Sequence, residues 1–374
     1  MKLFTSAFKL VRNVVLILVL FFSSCTKVIL IRNPHTSQPA KNIVLMIGDG
    51  MGLSHITAGM YTNSNFTALQ QFPIVGLIKT HAADDLVTDS AAGATAFACG
   101  VKTYNGAIAM NMQGQPVRTI MEEALNKGYR SGLVVTCSVV HATPACFVAH
   151  NEFRNNYEEI ASDFIRSGLH FFVGGGKKYF DRRNDSRNLV EVMKKSGMQI
   201  GTYLEEDLEN INITSEKFGY FTSDDHPLPA LQGRTFLPKA SRIGLNHLSK
   251  PGSNGFFMMI EGAQIDWGGH GNNSGYIIAE FIDFDKAIQE VLNWALEDKN
   301  TLVIVTADHE TGGYALNPGS TMQRINGGFT TSQHTASMVP VFAFGPGSEL
   351  FSGIYDNTEI HTKMRQALGW SKSN

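Results

Sequence analysis

Cysteine is scarce, with four in 374 residues, and no block of positive charge is longer than two residues. The missing basic block removes the electrostatic footprint of a nucleic-acid-binding protein, which gathers Lys and Arg on one face. A formal charge of −2 agrees with that. Cys99, Cys137 and Cys146 are odd in number and none stands in C-x-x-C spacing. They form neither a complete disulfide framework nor a cysteine metal knuckle, and they read as small buried core residues. Internal repeats and low-complexity segments are absent too. With 43% hydrophobic and 17% charged residues, the chain has the balance of a well-cored globular protein. The apolar run at 14–22 falls well short of the roughly 20 residues that span a bilayer.

That run has a different reading. Lys2, Lys9 and Arg12 precede it without any acid, and Ser23-Ser24-Cys25 follow it. A basic start, a short apolar core and small residues at the cut are the pattern of an export signal. Cys25 stands where a bacterial lipobox places its acylated cysteine, with Phe22 at the third position before it, where Leu is usual. Lipid attachment and simple cleavage both fit. Pro34, Ser37, Gln38 and Pro39 then suggest a tether. The expected organisation is a signal at 1–24, a tether at 25–41 and a single catalytic domain over 42–374.

Short apolar runs at 42–47, 131–136, 169–173, 255–260, 301–306 and 339–344 predict strands buried on both faces of a sheet. Helical spacing lies between them at 117–126, 157–167, 189–196 and 277–296. In the last of these, Ile277, Ile278, Phe281, Phe284, Ile288, Val291 and Leu292 form one apolar stripe. Strand and helix alternating in this way predict a three-layer αβα sandwich with a large, mostly parallel central sheet. Such folds carry their chemistry beyond the carboxyl ends of the strands, where Asp49, Glu261 and Asp308 fall.

Acids and histidines recur at those strand ends. Asp49 lies in Gly48-Asp49-Gly50, Asp266 and His270 follow Glu261, and Asp308-His309 and His334 come later. Asp and His are zinc ligands, and Glu261 adds a hard oxygen suited to magnesium. Singly, each is more often a helix cap or a structural histidine. Ser90 begins a run of small residues, Ala91-Ala92-Gly93-Ala94, that predicts a tightly packed helix. It is either an ordinary N-cap or a nucleophile placed where a helix N-terminus favours negative charge.

Asp89-Ser90-Ala91 with Gly100-Val101-Lys102-Thr103-Tyr104-Asn105-Gly106 resembles the nucleophile segment of the alkaline phosphatase family. Gly48-Asp49-Gly50, His141-Ala142-Thr143-Pro144, Glu261-Gly262-Ala263-Gln264-Ile265-Asp266 and Asp308-His309-Glu310-Thr311-Gly312-Gly313 match the same family in the same order. The likeness runs from about residue 42 to 347. It implies that Asp266, His270 and His334 hold a first zinc, and Asp49, Asp308 and His309 a second. Asp49, Thr143 and Glu261 would hold magnesium. It further implies that Arg154 grips phosphate in a bidentate fork and that Ser90 attacks phosphorus to give a covalent phosphoserine. The reaction would run between two metals about 4 Å apart. The family also implies a homodimer.

Two positions depart from the best-known enterobacterial form of the family: His141 replaces Asp and Trp267 replaces Lys. The pair resembles bacterial members that include cold-active enzymes, and it implies faster product release and looser magnesium binding. Only 24 residues separate His309 from His334, so the large crown that vertebrate members insert there is not expected, and an open site should accept varied monoesters.

Other readings are weaker. Neither Ser90 nor Cys146 has the C/S-x-P-x-R context of a sulfatase. A nucleotide phosphodiesterase typically uses Thr and lacks the magnesium ligands. A silent surface lipoprotein that binds phosphate or metal is the reading from another class, and it would be expected to have lost a ligand or the nucleophile. His55, His81, His150 and His247 read as structural or surface residues.

Overall fold

Parallel strands buried on both sides need helices over each face, and that requirement organises the computed structural model, which describes residues 38–370. The signal at 1–24, Cys25 and most of the tether lie outside the described residues.

In chain order the strands are β1 (Asn42–Gly48), β2 (Ile74–Lys79), β3 (Arg130–Ser138), β4 (Phe171–Gly175), β5 (Met198–Thr202), β6 (Lys217–Phe221) and β7 (Phe256–Gly262). They continue with β8 (Thr301–Thr306), β9 (Glu310–Thr311), β10 (Ala315–Leu316), β11 (Gly327–Gly328), β12 (His334–Thr335), β13 (Val339–Phe344) and β14 (Gly353–Asp356). Ten of them form one sheet in the order β14-β2-β13-β8-β1-β7-β3-β4-β6-β5. Every pairing is parallel except those of β13, which runs antiparallel to β2 and β8. The expected fold class is the one observed.

Neighbouring residues along a strand point to opposite faces, and the aromatic contacts show the two helical layers that result. Phe256 packs on Trp294 of the long helix Ser274–Asp298, whereas Phe257 stacks on Phe147 of helix Ala142–Val148. Likewise Phe171 meets His247 of helix Phe236–Leu248, while Phe172 meets Phe164 of helix Tyr157–Phe164. The predicted stripe faces the core: Ile277, Phe281, Phe284, Ile288, Val291 and Leu292 are all buried, with Ile278 at its margin.

Four central strands, β8, β1, β7 and β3, lie side by side, so the turns after them meet at one edge. After His309 the chain makes β9 and the small β10–β11 hairpin, then returns at His334 in β12, which pairs with β9. No crown-sized insertion stands over that edge.

Candidate active site

Asp49 follows β1 and is wholly buried. The turn beyond it needs a glycine, because Gly50 has φ +72° and an added Cβ would lie 2.8 Å from the Asp266 backbone. Gly50 N–H donates to Asp308 Oδ1 (3.2 Å), and Thr311 N–H donates to the Gly50 carbonyl (3.1 Å), so the turns after β1 and β8 are tied together. Glu261 sits one residue before the end of β7 rather than after it. Helix Gln264–His270 follows, and it sets Asp266 and His270 one turn apart on one face.

These residues converge. His309 Nε2 lies 3.4 Å from Asp49 Oδ1 and 3.5 Å from Asp308 Oδ2. His270 Nε2 and His334 Nε2 each lie 3.4 Å from Asp266 and are 3.1 Å from each other. The rings of His309 and His334 stack with centroids 3.6 Å apart, joining the two groups. The Nδ1 atoms of His270 and His334 are held from behind, an arrangement like that by which orienting partners hold ligand imidazoles. Nδ1 of His270 meets the Ser332 carbonyl at 2.7 Å, and Nδ1 of His334 meets that of Thr88 at 2.8 Å.

Ser90 opens helix Ser90–Cys99 as its first residue, and the N-cap is Asp89 rather than Ser90. The helix is buried throughout, which explains its small side chains: a Cβ on Gly93 would lie 3.1 Å from that of Asp308. Ser90 Oγ is 3.3 Å from His309 Nε2. Arg154 reaches the same place from a loop. Its Nη1 donates to Asp89 Oδ2 (2.9 Å), and its Nη2 lies 3.4 Å from His141 Nε2.

Four acids in a buried space need compensation, since an unpaired buried carboxylate costs several kcal/mol. Burial and the neighbouring carboxylates push Asp49 well above the usual carboxylate range. Burial likewise raises Glu261 to about 8 and Asp308 to about 6. Burial also acts upward on Asp266, but its bonds from His270 and His334 outweigh it and hold the carboxyl well below its ordinary value. Both oxygens of Asp49, one of Glu261 and Oδ2 of Asp308 have no hydrogen-bond partner. Such orphaned, buried, hard oxygens beside imidazoles fit divalent metal ions. Three groups have ligand atoms within 4.8 Å of one another: Asp266, His309 and His334; Asp49, Asp308 and His309; and Cys137, His141 and Glu261.

The residues named from the sequence as metal ligands, nucleophile or phosphate-binding groups all lie at this edge. Thr143 is enclosed beside Glu261. Trp267 packs edge-on to His141, with centroids 6.3 Å apart. The other histidines bond elsewhere: His55 to Gly52, His81 to Ala82, His150 to Glu122 and His247 to the Glu216 carbonyl. Sequence reasoning missed three participants. His226 lies 4.8 Å from the Trp267 ring and accepts the Ser138 N–H through Nδ1. Asp89 positions Arg154. Cys137 is buried as expected, yet its thiol is 3.2 Å from Glu261 Oε2.

Comparison with known proteins gives the family. The profile of the family described as Alkaline phosphatase matches residues 40–326 and 317–370. Alkaline phosphatase 3 of Bacillus subtilis is 33% identical over 88% of this chain and 89% of its own length. The solved alkaline phosphatase of the Antarctic bacterium TAB5 is 44% identical with a TM-score of 0.85, covering 90% of this chain and 99% of its own. A variant of that enzyme with a histidine changed to glutamate, 43% identical with the same TM-score and coverage, holds magnesium in its M3 site. By these matches the chain belongs to the alkaline phosphatase family of metal-dependent phosphomonoesterases.

Proposed function

We propose that this chain hydrolyses phosphate monoesters through a covalent phosphoserine on Ser90. Asp266, His270 and His334 would hold one zinc ion, and Asp49, Asp308 and His309 a second. Asp49, Thr143 and Glu261 would hold a third divalent ion, which the magnesium in the TAB5 variant supports. When bound, these ions supply positive charge that stabilises a serine alkoxide and a departing oxygen. The observation that carries the reading is the set of orphaned carboxylate oxygens on Asp49, Glu261 and Asp308 beside a buried serine at a helix N-terminus.

The chain's own residues account for the rest. Arg154, held by Asp89, offers a planar fork to two phosphoryl oxygens. Ser90 gives up its Oγ proton as it attacks phosphorus, and the bond to the ester oxygen breaks. The alcohol leaves with a proton from solvent. Water then attacks phosphorus from the opposite side, releasing phosphate and restoring the serine hydroxyl. The N-terminus of helix Ser90–Cys99 favours negative charge on Oγ in both steps.

Hydrolysis of p-nitrophenyl phosphate beside bis-p-nitrophenyl phosphate at alkaline pH tests this, for wild type and Ser90→Ala, with and without zinc. Monoester activity that needs zinc and collapses in the variant is expected. Preference for the diester would place the substrate in a sister family, and inactivity with metal fully loaded would indicate a silent binding protein. Export to the periplasm or to a membrane through a lipid on Cys25 completes the proposal, resting on the pattern of residues 1–25. Assembly as a homodimer rests on the family alone.

A further inference from the structure

The third position, as the resemblance builds it from Asp49, Thr143 and Glu261, is an all-oxygen set suited to magnesium. The side chains around Glu261 in this chain are of another kind. Cys137, at the end of β3, directs its thiol to Glu261 Oε2 at 3.2 Å. His141 stands within the same 4.8 Å cluster. Cys137 is fully buried and His141 is partly so, and two of the cluster's enclosed atoms, Glu261 Oε1 and His141 Nδ1, have no hydrogen-bond partner. Sulfur, imidazole nitrogen and carboxylate oxygen around one point are donors for zinc, and a thiolate is a poor ligand for magnesium. In a tetrahedral zinc site, ligand atoms lie about 3.5 Å apart, as follows from bonds of about 2.0–2.3 Å. The separation of Cys137 from Glu261 is close to such an edge.

We propose that Cys137 and His141 join Glu261 as ligands at the third metal position of this chain, so that it takes zinc in preference to magnesium. The inference rests on the family reading of the neighbouring site. Binding exchanges the S–H···O hydrogen bond for two metal bonds, one to the Cys137 thiolate and one to Glu261. The thiol proton leaves to solvent, as proton release accompanies metal binding to thiols. Thiolate and carboxylate together balance the charge of the divalent ion. The orphaned His141 Nδ1 is the nitrogen free to ligate. This gives the buried cysteine a role that the two histidine-rich sites cannot share, because neither contains sulfur.

The experiment uses the full purified chain, stripped of metal and then dialysed against cobalt with excess magnesium, and separately against zinc with excess magnesium. Metal content is measured by mass spectrometry and cobalt coordination by its near-ultraviolet thiolate charge-transfer band. The expected result is that band in wild type, a third zinc ion per chain and no retained magnesium. In Cys137→Ser the band should vanish and magnesium should replace the third zinc. Wild-type protein that binds cobalt without a thiolate band, or keeps magnesium beside two zinc ions, overturns the proposal and leaves Cys137 as a hydrogen-bond donor. Should Cys137→Ser fail to fold, the wild-type band decides alone. Loss of monoesterase activity in Ser90→Ala belongs to the broader reading and is independent of the band.

Discussion

Asp89 uses its two carboxylate oxygens for two different ends. Oδ1 accepts the Ala92 N–H at 2.9 Å and caps helix Ser90–Cys99, while Oδ2 takes Arg154 Nη1 at the same distance. Burial acts to lower the Arg154 pKa, but Asp89 outweighs it and keeps the guanidinium charged. Asp89→Asn keeps a capping oxygen and removes the charge, so stability should change by less than about 1 kcal/mol, the worth of a whole cap. Arg154 would lose its anchor, and the inhibition constant for inorganic phosphate should rise several-fold. Thermal melts and phosphate inhibition measured side by side check this, and an unchanged constant would show that Arg154 is fixed by something else. Trp267 makes a second residue-scale case. It packs on His226 and His141 and offers no cation to phosphate. Trp267→Lys is therefore expected to lower the phosphate inhibition constant and slow product release, and a variant with wild-type inhibition would contradict the family analogy.

At the scale of elements, close approach of backbones explains several sequence choices. Gly59 of helix Leu53–Thr62 lies against Phe281 of helix Ser274–Asp298, and a Cβ there would come within 2.0 Å of the ring. Gly59→Ala should force the two helices apart and cost about 1–3 kcal/mol, the usual penalty of overpacking. A urea melt would measure the loss, while kcat of the folded fraction should hold, since the contact is made beneath the sheet face and not at its carboxyl edge. The elements that were legible share one property. β1, β7 and β8 are buried at every position, so they read as unbroken apolar runs. β2 is only partly buried, β14 has no buried position, and β5 and β6 are short with Gly201 and Gly219 inside them, so no run announces them. The same logic divides the site. Asp49 and Asp308 stand out because each ends an apolar run. Cys137 ends one too, but a cysteine in a buried strand looks like core, and only the register of β3 beside β7 brings it to Glu261. His226 follows Asp224-Asp225 in a loop with no local pattern at all. His334 lies on a two-residue strand, and its motif identified it where periodicity could not.

For the whole molecule, gathering Asp49, Glu261, Asp266 and Asp308 at one buried edge makes metal binding part of stability. Without metal, burial raises Glu261 to about 8, and hydrogen bonding to Asp266 raises His270 to about 8. Asp49 is raised in the same sense by burial, and burial also raises Cys99 and Cys137. Groups with raised folded pKa values bind more protons folded than unfolded, so their stabilisation is complete below the unfolded pKa and is lost as pH climbs through the folded one. The histidines lowered by burial, such as His141 and His309, act in the opposite sense, but only where unfolded histidine is protonated. Above about pH 7.5 that opposition has faded, because unfolded histidine titrates near 6.5. Metal-free protein should therefore lose stability steadily from about pH 7.5 to 9. Bound zinc removes the penalty, since it prefers the deprotonated carboxylates, and it stabilises the folded state by mass action. The melting temperature in chelator should fall across that range while the zinc-loaded value falls less, so the gap between them widens toward alkaline pH. Calorimetry at half-unit steps would measure it. A gap that narrows with rising pH would mean that the carboxylates at this edge are already compensated by the protein itself.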